Sequence, residues 1–273
     1  MVNPTTDETK RRIADIFGRL APLYGSVIPF FQTFGRMLVD AAALEKGQRV
    51  LDLACGRGAC LRPAAAAVGP TGSVLGVDLS EPMVAATAAD LLAERIENAE
   101  VRVADAERLD LADSLFDAVI CGFGVFFLPE PLKALTECRR VLRPGGRFVA
   151  STFVAGRGGY PWSKDVARDL GKDPQAIRSP VLLAEGLRRA LLEVGFTEVS
   201  SVERQGRFVF ADVDAVVAWN WSHLGRRILE TLSEEELRRY RKLIADRLAP
   251  HAVSGGFELV QGVHLTVARR PEP

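Results

Sequence analysis

Apolar and polar positions change period along this chain, and the changes mark its elements. Ile13, Ile16, Phe17, Leu20 and Tyr24 recur at helical spacing behind a capping box formed by Thr5 and Glu8, so an amphipathic helix opens the sequence. A second helical group, Ile28, Phe30, Phe31, Phe34, Met37 and Leu38, leads toward Lys46 and Gly47. The period then shortens. Val50, Leu51, Leu53 and Ala54, interrupted only by Asp52, have the pattern of a strand covered on both faces in a parallel sheet. Further strands are predicted over 73–80, in the apolar run over 118–128 and, as alternating patterns, over 198–210 and 257–269, and family-like motifs add one at Val103 and one at Phe148. Helices fall between them, over 59–67, 81–96, 132–141 and 182–194. Strand and helix alternate, which predicts an α/β fold with a doubly wound, mostly parallel sheet of seven strands.

Two segments are extra to that alternation. Residues 155–180 are rich in glycine and proline and include Tyr160 and Trp162, and residues 212–250 are helical in pattern and precede the last strand. Both leave from strand ends, where ligands of open α/β sheets sit. The expected organisation is an N-terminal helical lid (1–45), a cofactor-binding core (46–154), and the rest of the core with two acceptor-site insertions (155–273).

The first strand runs into Gly56 and Gly58, a turn whose lack of Cβ atoms lets backbone N–H groups approach a ligand. Leu61 stands where a dinucleotide fingerprint needs its third glycine, and no G-x-x-x-x-G-K-[ST] loop occurs, so both nucleotide readings weaken. Instead Asp52, Ala54, Gly56 and Gly58 resemble the first motif of the class I S-adenosylmethionine-dependent methyltransferases, with Ala54 replacing a usual glycine. Four more motifs follow in order: Asp78 closing the second strand, Asp105, Ala106 and Glu107 after Val103 in the third, Phe116 to Phe123 with Cys121 as the fourth, and Val141 to Phe148 as the turn before the fifth. The look is closest to the ubiquinone and menaquinone C-methyltransferase branch and its natural-product relatives. This resemblance implies a Rossmann-like methyltransferase fold with an antiparallel strand at one end of the sheet. It implies S-adenosyl-L-methionine as cofactor and S-adenosyl-L-homocysteine as product. It also assigns Asp78 to the ribose hydroxyls, Leu79 and Met83 to the adenine face and Asp105 to the adenine amino group, and lays the N-terminal helices over the cofactor.

Composition narrows the partner. Lys and Arg number 35 against 35 Asp and Glu, so nothing favours a nucleic acid. The apolar run over 118–128 is short of the roughly 20 residues a membrane span needs, and the polar start lacks a signal core; a cytoplasmic protein is expected. Cys55, Cys60, Cys121 and Cys138 form no C-x-x-C pair and read as reduced thiols, with no metal framework. A homodimer is compatible with all of this.

Candidate acceptor-site residues come from the lid and the insertions: Tyr24, Tyr160, Trp162, Trp219, His223 and Arg226. On one helix, Trp219, His223 and either Arg226 or Arg227 would share a face. His223, with an ordinary pKa near 6.5, is the first candidate for a general base and Tyr24 the second. His251 and His264 pair visibly with no nucleophile. After the fourth strand the chain reads Cys121-Gly-Phe-Gly124, in place of the [DNS]-P-P-[FY] of amino-group methyltransferases, which favours oxygen or carbon as the acceptor atom. The leading expectation is metal-independent methyl transfer to a small secondary metabolite or quinone-like aromatic. The alternative keeps fold and cofactor but catalyses a cyclisation or rearrangement without methyl transfer. A mere cofactor sensor would not need two insertions.

Overall fold

Strands with apolar side chains on both faces need helices above and below, and the alternation of the sequence supplies them. The computed structural model describes residues 5–154, 163–172 and 179–272. The chain enters through α1 (Thr6–Leu20) and α2 (Phe30–Ala42), then alternates through β1 (Arg49–Leu53), α3 (Leu61–Val68), β2 (Ser73–Asp78), α4 (Glu81–Ala93) and β3 (Ala99–Val103). β4 (Phe116–Gly122), α5 (Pro131–Val141) and β5 (Leu142–Phe153) complete the parallel part. After α6 (Ser163–Asp169), α7 (Ala184–Glu193) and β6 (Thr197–Phe210) come three helices, α8 (Val213–Trp221), α9 (Arg226–Leu229) and α10 (Glu234–Leu248). β7 (Ala252–Val253) and β8 (Gly256–Arg269) end the chain.

The sheet runs β3-β2-β1-β4-β5-β8-β6, with the two-residue β7 attached to β8. β3 to β5 are mutually parallel, and β8 is antiparallel to both of its neighbours. Seven strands therefore lie along the sheet, as expected, and the antiparallel strand is β8. The order reverses between β1 and β4, which opens a crevice at their carboxyl ends. The site lies there.

The two N-terminal helices sit differently. α2 buries Phe34, Leu38, Val39 and Ala42 in the principal core. α1, started by the predicted capping box of Thr5 and Glu8, packs instead in a small separate cluster of Leu20, Ala21 and Met83 with Ile16, Phe17 and Tyr24.

Several boundaries differ from the sequence reading; β5 already begins at Leu142, so the turn expected before it lies within the strand. α4 stops at Ala93, because Arg95 turns left-handed with φ 55°. β4 stops at Gly122, because Phe123 does the same with φ 57°. The helical pattern over 212–250 is three helices, broken first after Trp221, where Ser222 caps α8 through N–H bonds to the Ala218 and Trp219 carbonyls. The charged run in α10 is a solvated face: Glu234, Glu235, Arg238 and Arg239 are exposed, while Tyr240, Ile244 and Leu248 are buried. Among the described residues no helix is long and apolar enough to cross a membrane.

Candidate active site

Two left-handed turns meet at the crevice. After β1 the backbone takes positive φ at Ala54 (53°), Gly56 (49°) and Gly58 (73°). Ala54 pays about 1 kcal/mol for that conformation, which explains the usual glycine there. After β4 comes Phe123, whose N–H donates to Ser151 Oγ at 2.9 Å. The turns touch so closely that a Cβ on Gly124 would lie 2.6 Å from that of Ala54. Thr87 Oγ1 donates to the Gly56 carbonyl at 2.7 Å, and a Cβ on Gly56 would meet nothing within 4 Å. That open side of Gly56 faces a cavity.

The cavity encloses about 760 Å³ of empty space, its open mouth included. α1 roofs it with Lys10, Ile13 and Phe17; Asp78, Leu79 and Met83 line one wall, Asp105, Ala106 and Glu107 its far end, and Phe123 and Phe127 the other wall. A second, more open space of about 1570 Å³ joins it at Tyr24, Ala54, Gly56 and Gly122 and contains Asp52, Gly58 and Arg36. Most of the motif residues thus converge. Cys121 does not: it is fully buried behind the wall, and burial pushes its thiol up to about 12.

The charges suit a cationic ligand. Asp78 accepts the Gly56 and Ser80 N–H groups, each at 2.9 Å, yet burial still raises its pKa. Asp52 is 1% exposed and meets no counter-ion among the described residues; the Leu61 N–H favours its charged form, but burial with the nearby Asp78 charge raises it well above the ordinary range. Buried carboxylates in that condition are stabilised by a positive group. Burial and Asp78 also raise the Tyr24 phenol, which stacks on Phe31 with ring centroids 4.4 Å apart. Tyr24 lines both spaces. Among the described residues no three His, Cys, Asp or Glu side chains gather as a metal site.

The second insertion does not assemble as predicted. Trp219 and His223 do pack together, with ring centroids 4.2 Å apart, and the His223 Nδ1 contacts the Trp219 carbonyl. Neither lines the cavities; the Trp219 ring lies in the core between Phe30 and Phe210. Because α8 ends at Trp221, Arg226 leaves that face. It sits over the Trp221 ring, pairs with Glu230 at 2.7 Å and donates to the Arg19 carbonyl at 3.1 Å. Tyr160 and Trp162 lie outside the described residues.

Burial lowers His223 to about 4. Between that value and the ordinary 6.5 only the unfolded chain binds the proton, so stability falls as pH drops through this window and levels off below it. His223→Gln is expected to remove this part of the pH dependence of the melting temperature and to leave turnover within about twofold, the scale of a structural change away from the cavity. A large loss of turnover with unaltered acid stability would place the imidazole in the reaction instead.

Sequence reasoning missed Lys10 and gave Glu107, though within the third motif, no role of its own; both line the cavity. A signal existed: Lys10 lies three residues before Ile13 and seven before Phe17, so it falls on the apolar stripe of α1, where lysines are uncommon.

The parts match known proteins. A family model described as a methyltransferase domain covers residues 50–146. Nocamycin O-methyltransferase of Saccharothrix syringae is 31% identical over 265 residues, spanning 88% of this chain and 92% of that enzyme. Demethylmenaquinone methyltransferase of Halalkalibacterium halodurans is 32% identical over 53% of this chain and 61% of its own length. A solved structure from Bacillus halodurans, titled as a methyltransferase, shares the fold at a TM-score of 0.58 and 20% identity, covering 86% of this chain and 97% of that one. The donor set fits S-adenosylmethionine: a buried carboxylate without a counter-ion at Asp52 for an ammonium, the tethered Asp78 for ribose hydroxyls, and an acceptor at Asp105 for an amino group. The chain belongs to the S-adenosylmethionine-dependent methyltransferases, with S-adenosyl-L-methionine as its methyl donor.

Proposed function

We propose that this enzyme methylates an oxygen or carbon of a small, ring-containing acceptor, a secondary metabolite or a quinone-like aromatic. The observation that carries this reading is the lining where the two spaces join. The rings of Tyr24, Phe31 and Phe123 surround the joint, with Phe31 and Phe123 in edge contact at 6.1 Å. Such rings favour a flat apolar body. Names among the relatives support it, since one acts on nocamycin oxygen and another on demethylmenaquinone.

The bound cofactor supplies an electrophilic sulfonium methyl. The chain's own work is then to hold, align and dry the reactants, and alignment alone can supply effective molarities of roughly 10⁵ M or more. Asp78 and Asp105 hold the nucleoside end, Asp52 neutralises the amino group of the methionyl end, and Phe17 and Phe123 exclude water. Among the described lining residues of the two spaces no imidazole is present. This favours an acceptor that ionises unaided, such as a carboxylic acid, an acidic phenol or an enol, whose anion reacts at oxygen or carbon.

The test is incubation with methyl-labelled S-adenosylmethionine and a small-molecule extract of the source organism, followed by mass spectrometry. A labelled, acidic, ring-containing product is expected. Cofactor that stays intact while a compound is consumed without change in mass would overturn methyl transfer in favour of rearrangement, and labelled protein or nucleic acid would overturn the acceptor class.

A further inference from the structure

Lys10 is the cation on the apolar stripe that α1 turns to the cavity. Its ammonium lies 2.8 Å from Asp105 and 2.6 Å from Glu107, and the three side chains are 15%, 30% and 2% exposed. Both acids are anchored from their own side. Asp105 accepts the Glu107 N–H at 2.9 Å, and Glu107 accepts the Glu130 N–H at 2.7 Å. Two carboxylates at the cavity end therefore share one counter-ion, brought from 95 residues away. A nearly buried carboxylate without a counter-ion is costly, so this pairing is a strong reason for α1 to stay down.

The rest of the helix is held thinly. Its apolar contacts are the small cluster around Met83 and the Phe17 ring against Phe127 at 5.0 Å; its other polar ties are Thr6 to Glu130 at 3.2 Å, Arg19 to Glu230 at 3.1 Å, the Arg226 guanidinium donating to the Arg19 carbonyl at 3.1 Å, and the Arg57 guanidinium donating to the Ala21 carbonyl just beyond its end. Elements with few buried apolar contacts open first.

We propose that Lys10 is a positioning residue that latches α1 over the adenine end of the cofactor and sets how long donor and product stay bound. This rests on the reading that the adenine amino group meets Asp105. Carboxylate oxygens have acceptor capacity beyond one bond each, so Asp105 can serve Lys10 and an amino group together. Adenine in the cavity also gives Ile13 and Phe17 a surface to cover. Filling the cavity and closing the helix therefore favour each other, and such coupling is reciprocal.

The experiment measures release of S-adenosylhomocysteine from the full chain by stopped flow, and tryptic cleavage within α1, which carries Arg11, Arg12 and Arg19. Lys10→Met is expected to speed release about tenfold, the size of one lost charged hydrogen bond, and Lys10→Arg to restore most of it. S-adenosylhomocysteine should slow cleavage of α1 in the wild type and Lys10→Arg but not in Lys10→Met. If the lone charge change prevents folding, Lys10→Met with Glu107→Gln removes both charges and carries the same expectation. Release at the wild-type rate with α1 still protected, in a background where Asp78→Ala has lost affinity, overturns the latch. Unchanged affinity in Asp78→Ala as well would instead overturn the placement of the cofactor.

Discussion

Gly35→Ala is expected to melt about 6 °C below the wild type and to bind S-adenosylmethionine more weakly. Gly35 lies in α2, where that helix crosses the turn leading into α3. A Cβ there would stand 2.3 Å from the Ala59 carbonyl oxygen and 2.7 Å from its carbon. Two effects oppose each other. Alanine gains about 1 kcal/mol over glycine in a helix interior. Overpacking costs roughly 1–3 kcal/mol, and the upper end applies because backbone, unlike a side-chain tip, cannot swing aside. The net loss of about 2 kcal/mol converts to the shift above at roughly 2–4 °C per kcal/mol for a domain near this size. Relief requires moving either α2 out of the core or Ala59 and Cys60, which immediately follow Gly58. The second route disturbs the cofactor turn. A raised melting temperature by thermal denaturation would mean that helix propensity wins and that α2 does not seat on this turn.

The sheet was legible because its signals are local. Continuous apolar runs at Val50 and Val74, alternation in the last two long strands, and the pair Gly56 and Gly58 each specify one backbone behaviour. Asp78 could be placed because it stands at a strand's carboxyl end, where ligands of such a sheet bind, and Asp105 through the family resemblance of its motif. What escaped depends on partners distant in sequence. Nothing near Lys10 announces Asp105 and Glu107, and only the misplaced charge on an apolar stripe hints at them. The left-handed backbone at Ala54 is fixed by packing against Gly124, 70 residues later. Helical spacing put Trp219, His223 and Arg226 on one face, but spacing is blind to where a helix stops. Ser222 ends α8, and Gly225 precedes α9. Cys121 fell into the site by adjacency alone; its side chain is fully buried and is not among those that line the cavity with Gly122 and Phe123.

Asp78→Ala is expected to weaken S-adenosylmethionine binding by about 2 kcal/mol, close to thirtyfold. The carboxylate ends β2, faces the cavity and is fixed by N–H groups from Gly56 and Ser80, so it presents its remaining acceptor capacity to the ribose hydroxyls without further ordering. Removing it also affects the empty protein, in two opposing ways. The chain loses two N–H to carboxylate bonds, but it no longer holds a charge whose pKa burial has raised. These oppose each other, so the melting temperature of the cofactor-free variant is read beside its affinity. The decisive measurement is therefore calorimetric titration of S-adenosylmethionine into wild type and Asp78→Ala, each checked for its melting temperature. Affinity reduced about thirtyfold in a protein that still folds is the predicted result; equal affinity in the two proteins would contradict the site.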